Sequence, residues 1–415
     1  MKILIVSQYF WPESFIINDI AETLKNQGHT IVIATGKPNY PKGDIYNGYA
    51  SSGVQIENFS DSIEVVRVPL RPRGNGGAIN LALNYFSFVW SGLRWFRTLL
   101  NDHEFDVIFV FMLSPVTLAI PAIPLKIQKK AHLVLWVQDL WPESLKTTGF
   151  VRNRFLLWLT GLMVKGIYTS ADTILVQSRA FVQPVSRYAR KDKIIYYPNS
   201  FLDSIDNKSK AMTVPQELID LLEQNFCIVF AGNIGTAQSV ETLLQVAIHL
   251  QHISNFKLVL IGSGSMINWL KDQKDRHKLN NLIFGGQYPS TDMPIIFKRA
   301  AGLLVTLKHE EIFSYTIPSK VQAYLAAGRP IIAALDGEGS RIIEEACAGL
   351  TCPAEDIDNL TDNIKQLYNM TQGERDNMGI SARKYYLEHF EMKQQCKNLI
   401  SIFEKRISEL ETEQK

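Results

Sequence analysis

The sequence predicts an α/β protein made of two tandem, doubly wound parallel sheets. Short, continuous apolar runs alternate with helical patterns along the chain, which is typical of strands that helices cover on both faces of a parallel sheet. A polar stretch without apolar periodicity, residues 203–217, divides these runs into two series. The length of 415 residues also favours two domains over a single core.

The first series of apolar runs opens the chain. "KILIVSQYF" precedes a predicted helix over residues 17–27, which ends at Gly28, and the strand "HTIVIAT" follows. The later strands of this series are "DVIFVFM", "HLVLWVQ" and "DTILVQS". The second series consists of "FCIVFAGN", "FKLVLIG", "NLIFGG", "AGLLVTL" and "RPIIAAL".

The two series set the expected domain boundaries. We assign residues 1–203 to a first Rossmann-like domain, 204–217 to a linker, 218–385 to a second Rossmann-like domain and 386–415 to a helical tail. Ligands of doubly wound sheets bind outside the carboxyl ends of the strands. A cleft lined by the strand ends of both domains is therefore the expected site.

An uncharged stretch, residues 107–125, is nearly long enough to cross a bilayer. It contains Pro115, Pro121 and Pro124, which do not suit a single uninterrupted helix. We predict instead a strand, a helix opened by proline, and a second strand. The first strand follows Met1 and Lys2 directly, and this run is too short for a signal peptide.

Cysteines and charge indicate the compartment and the partners. Cys227, Cys347, Cys352 and Cys396 have no metal-ligand spacing, and a disulfide framework is implausible at this size, so a reduced, cytoplasmic protein is expected. Up to Ile205 there are 21 Lys and Arg against 15 Asp and Glu; thereafter there are 22 against 26. The basic first half suits an anionic partner, unless it is ordinary surface charge.

One compact helix follows the sequence "YTIP". Ser319 is a predicted N-cap, residues 321–327 a helix, and Gly328 its C-terminal glycine. Lys320 in the first turn opposes the helix dipole, so an anion bound there would relieve it. Two interpretations remain open, a cradle for a phosphate or sugar and an ordinary helix whose lysine is solvated.

A glycine turn follows the first strand of the second series. In "FAGNIGTAQSVETLLQVA", Gly232 and Gly235 permit close backbone approach before a helix begins. "IGSGSM" ends the next strand. Neither motif is a complete Walker loop or dinucleotide fingerprint, but two such strand ends in one domain indicate a nucleotide diphosphate.

Five segments together resemble retaining GT-B glycosyltransferases of family 4, of the bacterial O-antigen and capsule type (WbuB/WcaI-like). They are "QYFWPE", "WVQDLWPES", "GNIGTAQSVETLL", "FSYTIPSKVQAYLAAGRPI" and "GEGSRIIEE", and the resemblance covers nearly the whole chain. It implies transfer of a sugar, N-acetyl-L-fucosamine, from a UDP-sugar to a polyprenyl-pyrophosphate-linked saccharide. It also implies no cofactor and no metal, no nucleic-acid partner, and a peripheral position on the cytoplasmic face of the inner membrane.

The resemblance places the sugar donor in the second domain, with Lys320 as a catalytic residue. The implied donor-binding residues are Gly232, Asn233, Gly235, Gln238, Gln287, Tyr288, Lys308, Tyr315, Thr316, Ser319, Lys320, Gln322 and Glu338. Two departures stand out. Asn233 and Gln238 are neutral where the family has basic residues, and Tyr315 and Ala323 occupy the positions of two family glutamates. Ribose contact is then expected from Gln322 or Glu338.

The acceptor is expected on the first domain. Gln138 and Asp139 follow a buried strand, and Asp139 is the candidate to activate an acceptor hydroxyl, unless it only caps the next helix. Glu13 and Glu143 belong to two copies of the string Trp-Pro-Glu-Ser and are candidates for sugar binding, although loop packing is expected for at least one. The remaining acceptor candidates are Asn39 and Tyr40 in "PNYPKG".

An Asp-x-Asp string, Asp356 and Asp358, is the strongest metal candidate in the sequence. It stands at a predicted helix start, where carboxylates cap, so we expect capping and not a metal.

Two segments are candidates for membrane contact. Residues 78–100 carry a narrow polar stripe on an otherwise apolar and aromatic helix, and residues 151–166 are similar, with Arg152, Arg154 and Lys165 at their ends. Each is either a deeply buried helix or one that lies in a bilayer interface. Arg71 and Arg73 add positive charge nearby and favour the second interpretation.

Two other functions fit the same sequence. A nucleotide-sugar epimerase on this fold would turn over donor without acceptor. A non-catalytic membrane scaffold, suggested by the two missing glutamates, would bind no nucleotide sugar.

Overall fold

The computed structural model describes residues 1–60, 62–74, 76–147, 151, 153–203 and 214–413. The chain forms two compact units. Unit 1 comprises residues 1–199 and 395–415, and unit 2 comprises residues 200–394. Most of the predicted linker, residues 204–213, lies outside the described residues.

The strands fall at the predicted apolar runs, with four additional ones (β3, β4, β8 and β14). They are β1 Lys2–Val6, β2 Thr30–Gly36, β3 Gln55–Phe59, β4 Ile63–Val68, β5 Val107–Met112, β6 His132–Val137, β7 Thr173–Val176, β8 Ile194–Tyr196, β9 Phe226–Ala231, β10 Phe256–Ile261, β11 Leu282–Gly286, β12 Gly302–Thr306, β13 Ile331–Ala334 and β14 Gly349–Cys352.

Helices connect the strands. They are α1 Ile16–Asn26, α2 Ala78–Leu99, α3 Ala122–Lys129, α4 Glu143–Thr147, α5 Arg154–Ser170, α6 Val182–Ser186, α7 Gln216–Gln224, α8 Val240–His249, α9 Ile267–His277, α10 Met293–Phe297, α11 Glu311–Ser314, α12 Ser319–Ala327, α13 Glu338–Glu345, α14 Ile357–Asn369, α15 Gln372–His389 and α16 Met392–Glu413.

Unit 1 contains an eight-stranded sheet in the order β3-β4-β2-β1-β5-β6-β7-β8. All neighbouring strands are parallel except β3 and β4, so the predicted parallel sheet has an antiparallel edge. The strands β5, β6 and β7 are buried along their whole length, because helices cover both faces. The strand order reverses beside β1. The loops after β1, β2, β5 and β6 lie at the carboxyl edge of the sheet, where these parallel strands end.

The last helix returns to unit 1. Phe403 of α16 packs edge-on against Phe109 of β5, with ring centroids 5.6 Å apart, and Arg406 donates to the hydroxyl of Thr173 at 3.2 Å. The segment predicted as one tail, residues 386–415, is therefore divided: α15 packs against α12 in unit 2, and α16 completes unit 1.

Unit 2 contains a six-stranded, fully parallel sheet in the order β11-β10-β9-β12-β13-β14. One apolar core lies on the face covered by α10, α12 and α15, and a second on the face covered by α8, α9 and α14. The order reverses at β9, which has β10 on one side and β12 on the other. The turns after β9, β10 and β12 are therefore the expected ligand site of this sheet.

The uncharged stretch 107–125 folds as predicted. It forms β5, a 3₁₀ turn over Val116–Ala119 and the start of α3, and β6 follows. Among the described residues, no helix is both long and apolar enough to cross a membrane.

The helix-start predictions are confirmed in one case and shifted in another. Asp356 is the N-cap of α14, where its carboxylate accepts a hydrogen bond from the backbone of Asn359 at 3.0 Å. Ser319 is wrong as an N-cap, because α12 already includes it and Pro318 precedes the helix. Gly328 ends α12 in the left-handed conformation, as predicted.

Candidate active site

Lys320 occupies the first turn of α12, at the carboxyl edge of the unit 2 sheet. Its ammonium nitrogen is buried and has no hydrogen-bond partner among the described residues. It lies 3.6 Å from the ring centroid of Phe230, on β9. Burial lowers the pKa of Lys320 to about 7, because a charged amine without a partner is unfavourable there. An anion is the ligand that this nitrogen lacks.

Three glycines allow the turns after β9 and β10 to pack closely. Gly232 and Gly262 have φ of +129° and +128°, and a Cβ on Gly262 would lie 2.0 Å from the carbonyl oxygen of Gly232. A Cβ on Gly232 would meet the Lys320 side chain at 2.6 Å, and one on Gly264 the Ile234 carbonyl at 2.2 Å. The "GSG" turn is thus part of the same site as the "GNIG" turn.

The glycine turn itself carries neutral side chains. Asn233 is exposed, and its amide donates to Gln238 at 3.3 Å. The carbonyl of Gln238 accepts from the hydroxyl of Thr306, at the end of β12. The backbone of Lys308 donates to Ala237 at 3.0 Å. These bonds bring the glycine turn, Gln238 and Lys308 together at the end of β12, and their role in donor binding stays a prediction.

A tyrosine and a glutamate form a pair where the family resemblance expects a glutamate. The hydroxyl of Tyr315 donates to the carboxylate of Glu311, one helical turn earlier in α11. Glu311 was not among the candidates chosen from the sequence. The sequence indicates this pair only by the spacing of Glu311 from Tyr315, which is too weak a signal on its own. The second such position, Ala323, offers no polar side chain.

Gln322 and Glu338, the predicted ribose ligands, are both buried, with 3% and 7% exposure. Arg341 holds both carboxylate oxygens of Glu338 at 3.1 and 3.2 Å. Neither residue thus offers an exposed group to a ligand in this structure. Gly337 packs so closely on Ser314 that the start of α13 lies beside the loop before α12.

The other predicted donor residues lie on the same edge. Ser319 is exposed in the first turn of α12, and the hydroxyl of Thr316 faces the carbonyl of Phe313 at 3.4 Å. After β11, Gln287 is exposed, and the hydroxyl of Tyr288 donates to Gly285 at 2.6 Å.

A polar cluster at the ends of β12, β13 and β14 was not predicted. The ring of His309 lies 2.8 Å from a carboxylate oxygen of Asp336, and the backbone of His309 donates to Glu355 at 3.0 Å. Glu355 also accepts from Ser239, just before α8. The three residues come from separate loops, so only the strand order brings them together.

In unit 1, Asp139 follows β6 and is half-buried. It accepts a hydrogen bond from the hydroxyl of Ser114, after β5, and the indole of Trp141 donates to the same hydroxyl at 3.0 Å. This chain fixes one oxygen of Asp139 at the carboxyl edge of the sheet. Asp139 does not cap α4, which begins four residues later.

Glu13 connects two loops at this edge. Its carboxylate accepts backbone hydrogen bonds from Asn39, Tyr40 and Phe10 at 2.8, 2.7 and 3.1 Å. Burial raises the pKa of Glu13 to about 7, although these three bonds oppose the shift. Asn39 is likewise buried and bonded within the protein, whereas Tyr40 is 39% exposed beside the guanidinium of Arg73. Glu13 and Asn39 thus position Tyr40.

The last two acceptor candidates lie after β6. The side-chain nitrogen of Gln138 is buried without a hydrogen-bond partner among the described residues, while its backbone carbonyl accepts from Gln177 at 2.7 Å. Glu143 lies 3.3 Å from the guanidinium of Arg187. Among the described residues, no group of three His, Cys, Asp or Glu side chains is placed to hold a metal ion.

Two families match this chain. Residues 15–200 match the family described as "Glycosyl transferase 4-like domain", and residues 219–385 match "Glycosyl transferases group 1". The first match covers the strands of unit 1 except β1, and the second covers all six strands of unit 2. The chain therefore contains a glycosyl transferase 4-like domain followed by a glycosyl transferases group 1 domain.

Two curated relatives resemble this glycosyltransferase. The probable glycosyltransferase WbjE of Pseudomonas aeruginosa is 28% identical over 245 residues, which are 56% of this chain and 60% of WbjE. The putative colanic acid biosynthesis glycosyl transferase WcaI of Escherichia coli K12 is 22% identical over 340 residues, 79% of this chain and 82% of WcaI.

A solved structure shows the same fold. Anabaena Alr3699/HepE in complex with UDP superimposes with a TM-score of 0.67, at 13% identity, over 98% of this chain and 100% of that one. The two Rossmann-like sheets of the glycosyltransferase are thus those of the GT-B fold.

Proposed function

We propose that the protein transfers a hexose, with retention at the anomeric carbon, from a UDP-sugar to a lipid-pyrophosphate-linked saccharide. The observation that carries the proposal is the buried ammonium nitrogen of Lys320, at a helix start beside two glycine turns, which has no hydrogen-bond partner among the residues that the structure describes. Helix starts and buried cations bind phosphate well, and a nucleoside diphosphate fits this strand edge.

The donor side is unit 2. The UDP complex of the structural relative supports uridine diphosphate as the leaving group. Lys320, Lys308 and the N-terminus of α12 would stabilise the negative charge that develops on the diphosphate as the glycosidic bond breaks. None of the candidate residues is placed as a nucleophile, so attack on the same face that the diphosphate leaves is the mechanism that we favour.

The acceptor side is unit 1, where Asp139 would orient or deprotonate the attacking hydroxyl. The bond from Ser114 leaves the second carboxylate oxygen available for this contact. The exposed ring of Tyr40 suits a sugar, and so does the side-chain nitrogen of Gln138, which has no hydrogen-bond partner among the described residues. The relative WcaI, a putative colanic acid biosynthesis glycosyl transferase, supports a role in polysaccharide synthesis. N-acetyl-L-fucosamine is the proposed donor sugar. The proposed lipid-linked acceptor places the enzyme on the cytoplasmic face of the inner membrane.

A panel of nucleoside diphosphate sugars tests the proposal by thermal shift and then by turnover. UDP-sugars should raise the melting temperature more than the corresponding GDP-sugars, and transfer to a lipid-pyrophosphate sugar should proceed in the presence of a chelator. Turnover of donor without acceptor would indicate an epimerase, and absence of any binding would indicate a scaffold. Transfer with inversion would contradict the proposed stereochemistry alone.

A further inference from the structure

Two helices of unit 1 expose a large apolar face. Helices α2 and α5 together carry ten of the seventeen large apolar side chains that are exposed in the described part of the chain. On these helices, the exposed fractions range from 38% to 77%. The ten residues, called here the apolar face, are Ile79, Leu83, Phe86, Trp90, Leu93, Phe155, Leu156, Trp158, Leu159 and Leu162.

Helix α2 buries Asn84 together with Phe88 and Phe96, and exposes further aromatic side chains on its outer side. Asn84 is fully buried: its amide donates to the carbonyl of Arg71 at 2.5 Å and accepts from Gln8 at 2.7 Å. On the opposite side, Phe86 and Trp90 are 66% and 62% exposed. A helix that packs on a core with one side and faces water with the other carries mainly polar residues on the outer side. The outer side of α2 therefore does not have the composition of a surface in contact with water.

The two helices lie on the same part of unit 1. Both pack against the 3₁₀ turn Val116–Ala119, which follows β5. Gly92 of α2 approaches Pro121 so closely that a Cβ would lie 2.8 Å from the proline ring. Gly161 of α5 packs in the same way against the ring of Tyr188, at 3.2 Å. The inner side of α2 also buries Phe88 and Phe96, and that of α5 buries Val164 and Ile167, so both helices are apolar on their inner and outer sides.

The charge around the apolar face has one sign. No Asp or Glu occurs in residues 69–100 or 145–171. Arg94, Arg97, Arg154 and Lys165 are exposed on the two helices. Tryptophan and phenylalanine flanked by basic residues are typical of helices that lie in a membrane interface, and an anionic leaflet attracts such cations. The cores of protein–protein interfaces are instead depleted in charge.

We propose that the apolar face of α2 and α5 inserts into the interface of an anionic lipid bilayer. The inference deepens the proposed function and rests on it, because the proposed acceptor is linked to a membrane lipid. Helix α2 begins just after the loop that holds Arg71 and Arg73, and Arg73 lies 5.1 Å over the ring of Tyr40. Docking by α2 therefore brings the bilayer next to the loop of the proposed acceptor site.

Vesicle flotation tests the apolar part of the inference. The parent should float with mixed phosphatidylcholine–phosphatidylglycerol vesicles. A variant that combines Phe86→Ser, Trp90→Ser, Phe155→Ser and Trp158→Ser should partition into vesicles at least ~10-fold less. Each substitution removes a large apolar surface that would be buried in the lipid. The matched control is Ile380→Ser with Leu387→Ser, which removes two exposed apolar residues from unit 2 and should float like the parent.

The charge part has its own variant. The charge variant combines Arg94→Ser, Arg97→Ser, Arg154→Ser and Lys165→Ser. It should float less than the parent with the anionic vesicles at low salt, and added salt should remove the difference. With pure phosphatidylcholine, parent and charge variant should behave alike. Equal flotation of the two on anionic vesicles at low salt would overturn the electrostatic part.

Three results would overturn the inference as a whole. They are a parent that does not float, an apolar variant that floats like the parent, and a parent that dimerises through this face without vesicles. Binding of a UDP-sugar and transfer to a short-chain soluble acceptor should be unchanged in both variants. A parent that floats but binds no nucleotide sugar would overturn the proposed function and leave the membrane face standing.

Discussion

At the scale of single residues, Lys320 is the most informative side chain of unit 2. A buried ammonium normally has a carboxylate or several carbonyl partners, because desolvation is costly. Lys320 lies against the face of Phe230 and the backbone of Gly232, and its nitrogen has no hydrogen-bond partner in the described part of the chain. The cation–π contact offsets part of the cost, and the lowered pKa reflects the rest. In the proposed donor complex, the diphosphate would supply the missing partner.

This environment predicts that donor binding depends on pH. The free protein holds Lys320 with a pKa of about 7, and a bound diphosphate raises that pKa. Affinity for a UDP-sugar should therefore be highest below pH 7 and fall as the pH rises above it, with uptake of a proton on binding at pH 8. Calorimetry in buffers of different ionisation enthalpy measures the uptake. Lys320→Met should abolish it and weaken binding by about 1.5–3 kcal/mol.

Two controls keep this prediction sharp. Lys271→Met removes an exposed lysine that lies 5.8 Å over the ring of Phe284 in the same unit, and it should change neither affinity nor proton uptake. The free energy of unfolding gives the second control. Because the folded pKa of Lys320 lies below the unfolded value of 10.5, the unfolded state binds more protons between pH 7 and 10.5, and stability should rise with pH there. If the affinity for a UDP-sugar depended on pH in the same way in the parent and in Lys320→Met, Lys320 would not belong to the donor site.

Single residues also show where sequence reasoning stops. Lys320, Gly232 and Gly235 were found because a helix start and a glycine turn have sequence signatures. The roles of Glu13 and Glu143 were not separable, since both occur in the same string, Trp-Pro-Glu-Ser. Only the folded backbone shows that Glu13 accepts three N–H groups while Glu143 meets Arg187.

At the scale of elements, ten of the fourteen strands were predictable, whereas β3, β4, β8 and β14 were not. Buried parallel strands such as β5 and β9 are continuous apolar runs, so they stand out in the sequence. The edge strand β3 alternates between half-buried and exposed residues, and β8 has only three residues, so neither gives such a signal. The return of α16 to unit 1 depends on long-range packing, which no local pattern records.

The close turns after β9 and β10 give a prediction at this scale. Gly262→Ala should displace the Gly232 turn, because the new methyl group would lie 2.0 Å from a backbone oxygen and the residue would keep an unfavourable positive φ. We expect a loss of about 1–3 kcal/mol in stability and a larger relative loss of UDP-sugar affinity. Urea unfolding and calorimetry measure the two effects.

The matched control for Gly262 is Gly373, in the first turn of α15. A Cβ on Gly373 meets no atom within 4 Å, and no positive φ opposes alanine there. Gly373→Ala should therefore leave affinity unchanged and raise stability by about 0.5–1 kcal/mol. Normal UDP-sugar binding by Gly262→Ala would show that the two turns do not form one site.

At the scale of the whole molecule, the two units carry different parts of the proposed reaction. Unit 2 holds the unpartnered cation and the glycine turns, which suit a diphosphate. Unit 1 holds Asp139, the exposed ring of Tyr40 and the basic, apolar helices α2 and α5. The uneven charge of the two halves of the sequence already indicated this division, because an anionic surface attracts the first half more strongly.

This division predicts that Asp139→Asn separates catalysis from donor binding. Asparagine keeps the size of the side chain and can still bond to Ser114, but it does not accept a proton, so transfer to the acceptor should fall by about 10²–10⁴-fold. Affinity for the UDP-sugar should remain within a factor of about two, since Asp139 belongs to unit 1. Ser114→Ala is the companion variant: it frees the carboxylate without removing it, and should cost turnover less than Asp139→Asn does. If Asp139→Asn retained near-parental turnover, Asp139 would have only a structural role in the loop after β6. If it lost UDP-sugar affinity together with turnover, the assignment of donor and acceptor to separate units would be wrong.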